Sequence, residues 1–194
     1  MPDGSGDARA PFRDAGSLWG RRAAIVVLSA GLLLYSLTII RVTDESFPAN
    51  IDAAWFLMLS RSILSGEGYA EIDKPIPRPH TKFPSALPCI LAAAQWIAPD
   101  SLAPPKFAVG IFGFLSIIAF YLLIKRFTPD LIAALLAVAV GIQLNMLLFS
   151  QRLMSDIPYI FFSTLTLLLI VKRTQSTQSL LRLEIAIGIA ISLG

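Results

Sequence analysis

Few residues in this chain are of a type that does chemistry, and two carboxylates stand out by position. Asp52 heads the apolar stretch NIDAAWFLML at residues 50–59, and Asp156 takes the same place in SDIPYIFF. A carboxylate beside lipid is costly, so each is either kept in water, as a helix cap, or kept for a purpose. In the second case it acts as a general base or holds a metal. Nearby in sequence lie the cations Arg61, Lys74, Arg78, Lys82 and Arg152 and the single histidine, His80, with Glu71 and Asp73. Loop cations of this kind anchor a chain to lipid headgroups or face a phosphate. One histidine with scattered acids is a sparse metal set, in which His80 and Asp73 are the candidate ligands. Asp44 and Glu45 offer a rival acidic pair.

The elements that must position these groups are apolar helices. Of the 194 residues 55% are hydrophobic and 15% charged, against about 25% charged in soluble domains, so a membrane protein is expected. The net charge of +3 is dispersed or flanks apolar runs, forming no basic stripe, and nucleic acid is set aside as a partner. Cys89 is alone, which excludes an internal disulfide and a cysteine-rich zinc site. Residues 1–22 read as a disordered cytoplasmic tail, rich in Gly, Pro, Asp and Arg, followed by an uncleaved first span.

Spans are expected at about 23–41, 106–124, 131–149 and 157–171, each near the ~20 residues that cross ~30 Å of hydrocarbon. Arg21-Arg22, Lys125-Arg126 and Lys172-Arg173 mark cytoplasmic ends. The parity closes if SALPCILAAAQWIA (85–98), short and carrying Pro88 and Gln95, is interfacial or re-entrant. Residues 42–104 then form a large outer loop and SQRLMSD (150–156) a small one, so Asp52 and Asp156 share the outer face. A partial fifth span at 181–194 makes the sequence look like the N-terminal part of a larger membrane domain.

Within the large loop, residues 50–64 predict a helix along the membrane plane. Ile51, Trp55, Met58, Leu59 and Ser62 fall near one face and Arg61 near the other, with Asn50 or Asp52 as the cap. Gly66 and Gly68 stop it, and Pro75, Pro77, Pro79, Pro84 and Pro88 predict an extended, irregular segment. Ser155 or Asp156 caps the fourth span, with Pro158 in its first turn. The fold class is thus all-α: a polytopic transmembrane bundle with interfacial helices in its first outer loop.

The series D-x-x-W-F-x-x-x-S-R-S-I-L-x-G-x-G-Y from Asp52, then H-x-K-F-P-x-x-L-P from His80, then two spans and the turn S-D-I-P-Y resembles the polytopic GT-C glycosyltransferases. These are relatives of protein O-mannosyltransferases and of the aminoarabinose transferase of lipid A. The resemblance covers about residues 20–175. It implies transfer of a sugar from a polyprenyl-phosphate donor in the lipid bilayer to an acceptor at the outer face of a bacterial inner membrane. Asp52 would be the catalytic carboxylate and Asp156 a second acid shaping the site. Arg61, Lys74, Arg78, Lys82 and Arg152 would supply charge to the leaving phosphate, and many members need a divalent cation. The rival classes are a transporter or flippase fragment and a non-catalytic, truncated membrane protein. A transporter should carry ionisable residues inside its spans; no acid falls in any of these four, and Gln143 and Asn145 are the polar residues within the third.

Overall fold

The computed structural model describes residues 18–47, 50–73, 75–76, 78–174, 185 and 187–189. Lys74, the tail before Leu18 and almost all of the expected fifth span lie outside them. The described chain is mostly helical. Its helices are α1 (Leu18–Val42), α2 (Ile51–Leu64), α3 (Ala86–Gln95), α4 (Ala103–Ile124), α5 (Asp130–Ile142), α6 (Leu144–Ser150) and α7 (Asp156–Thr174). A two-stranded antiparallel ladder pairs β1 (Ala70–Glu71) with β2 (Arg78–Pro79). Helices α1, α4 and α7 are each long and apolar enough to cross a membrane.

The helix ends differ from the expected spans in ways with local causes. Helix α1 begins at Leu18, inside the stretch read as tail, because once a helix is nucleated each added residue contributes another backbone bond. Helix α4 begins at Ala103 with Pro104 and Pro105 in its first positions, where a missing N–H costs nothing. The stretch expected as one span at 131–149 is two helices, α5 and α6, bent by 57°. The break falls at Gln143, whose backbone is extended (φ −62°, ψ 145°), and Gln143 with Asn145 are the polar residues that interrupt this apolar run. The carbonyl of Gln143 then receives the Leu147 N–H and starts the short second helix.

The bundle packs through glycines set against large side chains. A Cβ on Gly31 of α1 would overlap Val138 of α5, and one on Gly141 of α5 would overlap Ile117 of α4. Close approach at small residues is how apolar helices gain contact when lipid competes equally well for their side chains. At Gly113 the approach also carries a buried polar junction. The Tyr35 hydroxyl of α1 sits against Gly113, donates to the Gly110 carbonyl at 3.1 Å and lies 2.7 Å from Ser150 Oγ of α6. Three helices are thereby registered at one point. The pairing of Ile39 with Gly110 and of Tyr35 with Gly113 makes α1 and α4 antiparallel.

A second layer, α2, the β1–β2 ladder and α3, caps one end of the bundle. Its core joins Ala53, Phe56 and Leu57 of α2 with Leu87 and Leu91 of α3, Val109 of α4, Met146 of α6 and Ile157 of α7. The buried face of α2 is therefore Ala53, Phe56, Leu57 and Ser60 together with Leu59 and Ser62, while Ile51 is exposed and Trp55 and Met58 only half-buried. Of the expected face, Leu59 and Ser62 are buried, whereas Ile51, Trp55 and Met58 give way to residues that meet α3, which presents its own apolar side and a buried Gln95 that accepts from Ser60 Oγ at 2.8 Å. Helix α3 has ten residues, too few to span, as its length predicts. Gly66 and Gly68 adopt the expected positive φ, 83° and 76°. The proline-rich segment folds back as the short ladder rather than staying wholly extended, because two residues per strand leave few ladder bonds for proline to remove.

The Tyr35 junction yields a stability prediction. Tyr35→Phe removes one hydrogen bond, about 1 kcal/mol, since Ser150 Oγ still donates to the Met146 carbonyl. Gly113→Ala forces the hydroxyl away and costs more, about 1–3 kcal/mol. In the Tyr35→Phe background the same alanine costs clearly less, because the oxygen it meets is gone. Thermal unfolding in detergent reads this coupling; strictly additive losses would contradict the geometry.

Candidate functional site

The polar groups gather where the capping layer meets the bundle. Lys106, in the first turn of α4, is 3% exposed. Its ammonium donates to Asp44 Oδ1 at 2.6 Å, to the Asp44 carbonyl at 2.9 Å and to the Ser46 carbonyl at 2.8 Å. All three donors are used, as a buried ammonium requires. Glu45 completes the tie: it accepts from Ser101 Oγ at 2.7 Å and from the Leu102 N–H at 2.6 Å, just before α4 starts. The Lys106 bonds hold the Asp44 carboxyl down at about 2, from the usual 3.8, with Ser46 adding a smaller push in the same direction. The Ser101 hydroxyl and the Leu102 N–H likewise lower Glu45. The rival acids thus have structural work. Lys106 escaped the sequence reading; its signal was a lone cation among the first residues of an apolar run, where the helix dipole is unfavourable and an acid elsewhere must compensate.

Asp52 and Asp156 differ from that pair. Asn50 caps α2, its Oδ1 accepting the Asp52 N–H at 3.0 Å, so the cap role open to Asp52 belongs to its neighbour. Asn50 Nδ2 also meets Met154 Sδ at 3.1 Å, which sets the start of α2 beside the loop that leads into α7. Asp156 is exposed as the first residue of α7 and lines a cavity of about 180 Å3 with Phe56, Leu87 and Tyr159. Asp52 is half-buried, one turn before Phe56 on the same side of α2. Neither carboxylate has a hydrogen bond or ion pair among the described residues.

The candidate cations are dispersed. Arg61 is exposed and borders an open hollow with Glu45 and Asp100. Arg78 is exposed on β2, and Lys82 holds its ammonium 4.9 Å over the Phe83 ring. Arg152 lines a third cleft with Lys106 and Asp44. Asp156, Arg61 and Arg152 therefore border three different cavities, and Lys74 lies outside the described residues.

His80 is 6% exposed and serves as a hub of the capping layer. Its Nδ1 lies 3.1 Å from Glu71 Oε1, and its Nε2 accepts the Phe83 N–H at 3.1 Å. That pairing makes Nδ1 the protonated nitrogen and leaves no ring lone pair for a metal. The ring stacks on Phe83 and packs on Trp55 and Tyr69, while the Tyr69 hydroxyl donates to the Phe83 carbonyl at 2.8 Å. Asp73 is exposed, and no group of three or more His, Cys, Asp or Glu residues is placed to hold a metal among the described residues. Of the proposed pair of ligands, His80 fits poorly for this reason.

Comparison with family models, with curated proteins and with solved structures finds no match for the chain.

The tie between α1 and α4 predicts an asymmetry. Asp44→Ala strands a buried ammonium, whereas Lys106→Met leaves a carboxylate that is already 61% exposed and readily hydrated. The first should lower the melting temperature more than the second; the reverse order would show that Lys106 is not desolvated. A carboxyl lowered in the folded state stabilises in full above the usual carboxylate range and loses that contribution as pH falls. The difference between wild type and Asp44→Ala should accordingly hold from pH 7 to about 4 and fade toward pH 2.

Proposed function

We propose that this chain is part of a membrane glycosyltransferase of the GT-C kind, moving a sugar from a polyprenyl-phosphate carrier to an acceptor hydroxyl at the outer face of a bacterial inner membrane. The observation that carries the reading is the division of labour among the acids at one end of the bundle. Asp44 and Glu45 are spent on the tie to α4, whereas the carboxylates of Asp52 and Asp156 stand unpaired among the described residues at neighbouring helix starts. The second support is charge placement. Antiparallel packing of α1 on α4 puts Arg21 and Arg22 at the end that holds Lys125 and Arg126, and α7, running beside α4 in the same direction, brings Lys172 and Arg173 there, which favours that end being cytoplasmic and the N-terminus inside.

In this reading Asp52 takes the proton of the acceptor hydroxyl as its oxygen bonds to the anomeric carbon, and the bond from that carbon to the phosphate oxygen breaks with its electron pair leaving on phosphate. Asp156, at the cavity beneath α2 and α3, orients the acceptor or the sugar. Arg78 and Lys82, on the segment that folds over the same layer, are the cations offered to the leaving phosphate. A divalent cation, if the enzyme takes one, would use the two free carboxylates rather than His80. A transporter reading draws on the break at Gln143, since discontinuous helices line transport sites, but the stretch 131–149 itself carries no Asp, Glu, Lys or Arg.

Reconstitution of the full-length protein with a polyprenyl-phosphate sugar in vesicles tests this. Asp52→Asn should slow transfer by about 10²-fold or more, with folding and donor binding retained. Transfer at the unmutated rate by a folded Asp52→Asn protein would end the proposal.

A further inference from the structure

A cleft of about 530 Å3 lies between the end of α1, the start of α4 and α6. Its lining combines the polar Asp44, Lys106, Gln151 and Arg152 with the apolar Val42, Leu144 and Leu148. The three apolar residues are 49%, 68% and 47% exposed. We propose that this cleft is a phospholipid site, binding a headgroup with one negative charge at Arg152 while an acyl chain follows Val42, Leu144 and Leu148 outward along α1 and α6. The inference does not rest on sugar transfer.

The charges select the ligand. Lys106 and Asp44 neutralise each other at 2.6 Å, so the cleft's net charge is the single positive charge of Arg152. The Arg152 guanidinium lies 5.0 Å over the Phe149 ring and has no hydrogen-bond acceptor among the described residues, so its N–H groups are available to donate. A phosphodiester matches that fork in both geometry and charge. Beside it, Gln151 has its Oε1 held by Thr43 Oγ1 at 2.9 Å, while its Nε2 is buried with no partner among the described residues. Such an orphaned donor is expensive to bury, and an oxygen-rich headgroup would relieve it. Free phosphate would satisfy Arg152 but leave the leucines uncovered, which is why the occupant is assigned as a lipid.

The test measures binding of phosphatidylglycerol, phosphatidylcholine and inorganic phosphate to the purified chain in detergent, by native mass spectrometry and by the rise in melting temperature. Phosphatidylglycerol should bind about tenfold more tightly than phosphatidylcholine, as expected for one charge-assisted contact, and inorganic phosphate should give no comparable protection. Arg152→Gln should remove the preference for the anionic lipid, while Lys172→Gln, at the far end of α7, should leave it intact. Leu148→Trp, adding bulk to the cleft from a half-exposed position, should weaken both lipids. A preference that survives Arg152→Gln, equal losses from Lys172→Gln, or protection by inorganic phosphate matching that of the lipid would each overturn the proposal. The melting temperature of every variant without lipid shows that the fold is kept.

Discussion

A lysine ammonium held out of water by three oxygens is the constraint on which the arrangement of this chain depends. Lys106 cannot remain buried unless Asp44 and Ser46 come to it, and their approach fixes how the chain leaves α1 and enters α4. Glu45 adds its carboxylate to the residues just ahead of α4. Thr43, from the same turn, donates to Gln151 and so draws in the end of α6. Four consecutive residues after α1 thus bind the ends of two other helices, and the start of α2 is placed by what they leave.

The two layers solve different physical problems. Within the bundle, apolar side chains are as content against lipid as against each other, so specificity comes from glycines that admit a partner helix and from the Tyr35–Ser150 junction. The capping layer has no such solvent and builds a small core of its own around Phe56, Leu91 and the His80 ring stack. Asp52 and Asp156 lie at the seam between the layers. A group there is held by a helix anchored in the core while its own side chain stays at the surface, the kind of rigid support a functional carboxylate requires.

Much of the fold was legible because long apolar helices announce themselves by length and composition. The short α3 follows from the brief apolar stretch 85–98 with Pro88 and Gln95, and the end of α2 from Gly66 and Gly68. The misses share a cause: a contact with another element decided the outcome. The buried face of α2 depends on α3, which periodicity within α2 cannot know. The bend at Gln143 was foreshadowed by two polar residues, yet their number and spacing do not say whether a helix tolerates them or breaks. Lys106 was passed over as a span-end residue because its three acceptors lie about sixty positions earlier. The sequence offers His80 only as one member of a sparse metal set, and its neighbours Glu71 and Phe83 show that both nitrogens are engaged.

The central claim is that the starts of α2 and α7 face the same aqueous side, opposite the basic helix ends. Single cysteines introduced as Asp52→Cys, Asp156→Cys or Lys172→Cys in a Cys89→Ser background, exposed to a membrane-impermeant maleimide on intact cells, measure this directly. The account predicts labelling at positions 52 and 156 from outside, and at 172 only after the membrane is opened. Labelling of 52 and 156 from opposite sides, or of both from the cytosol alone, would contradict it.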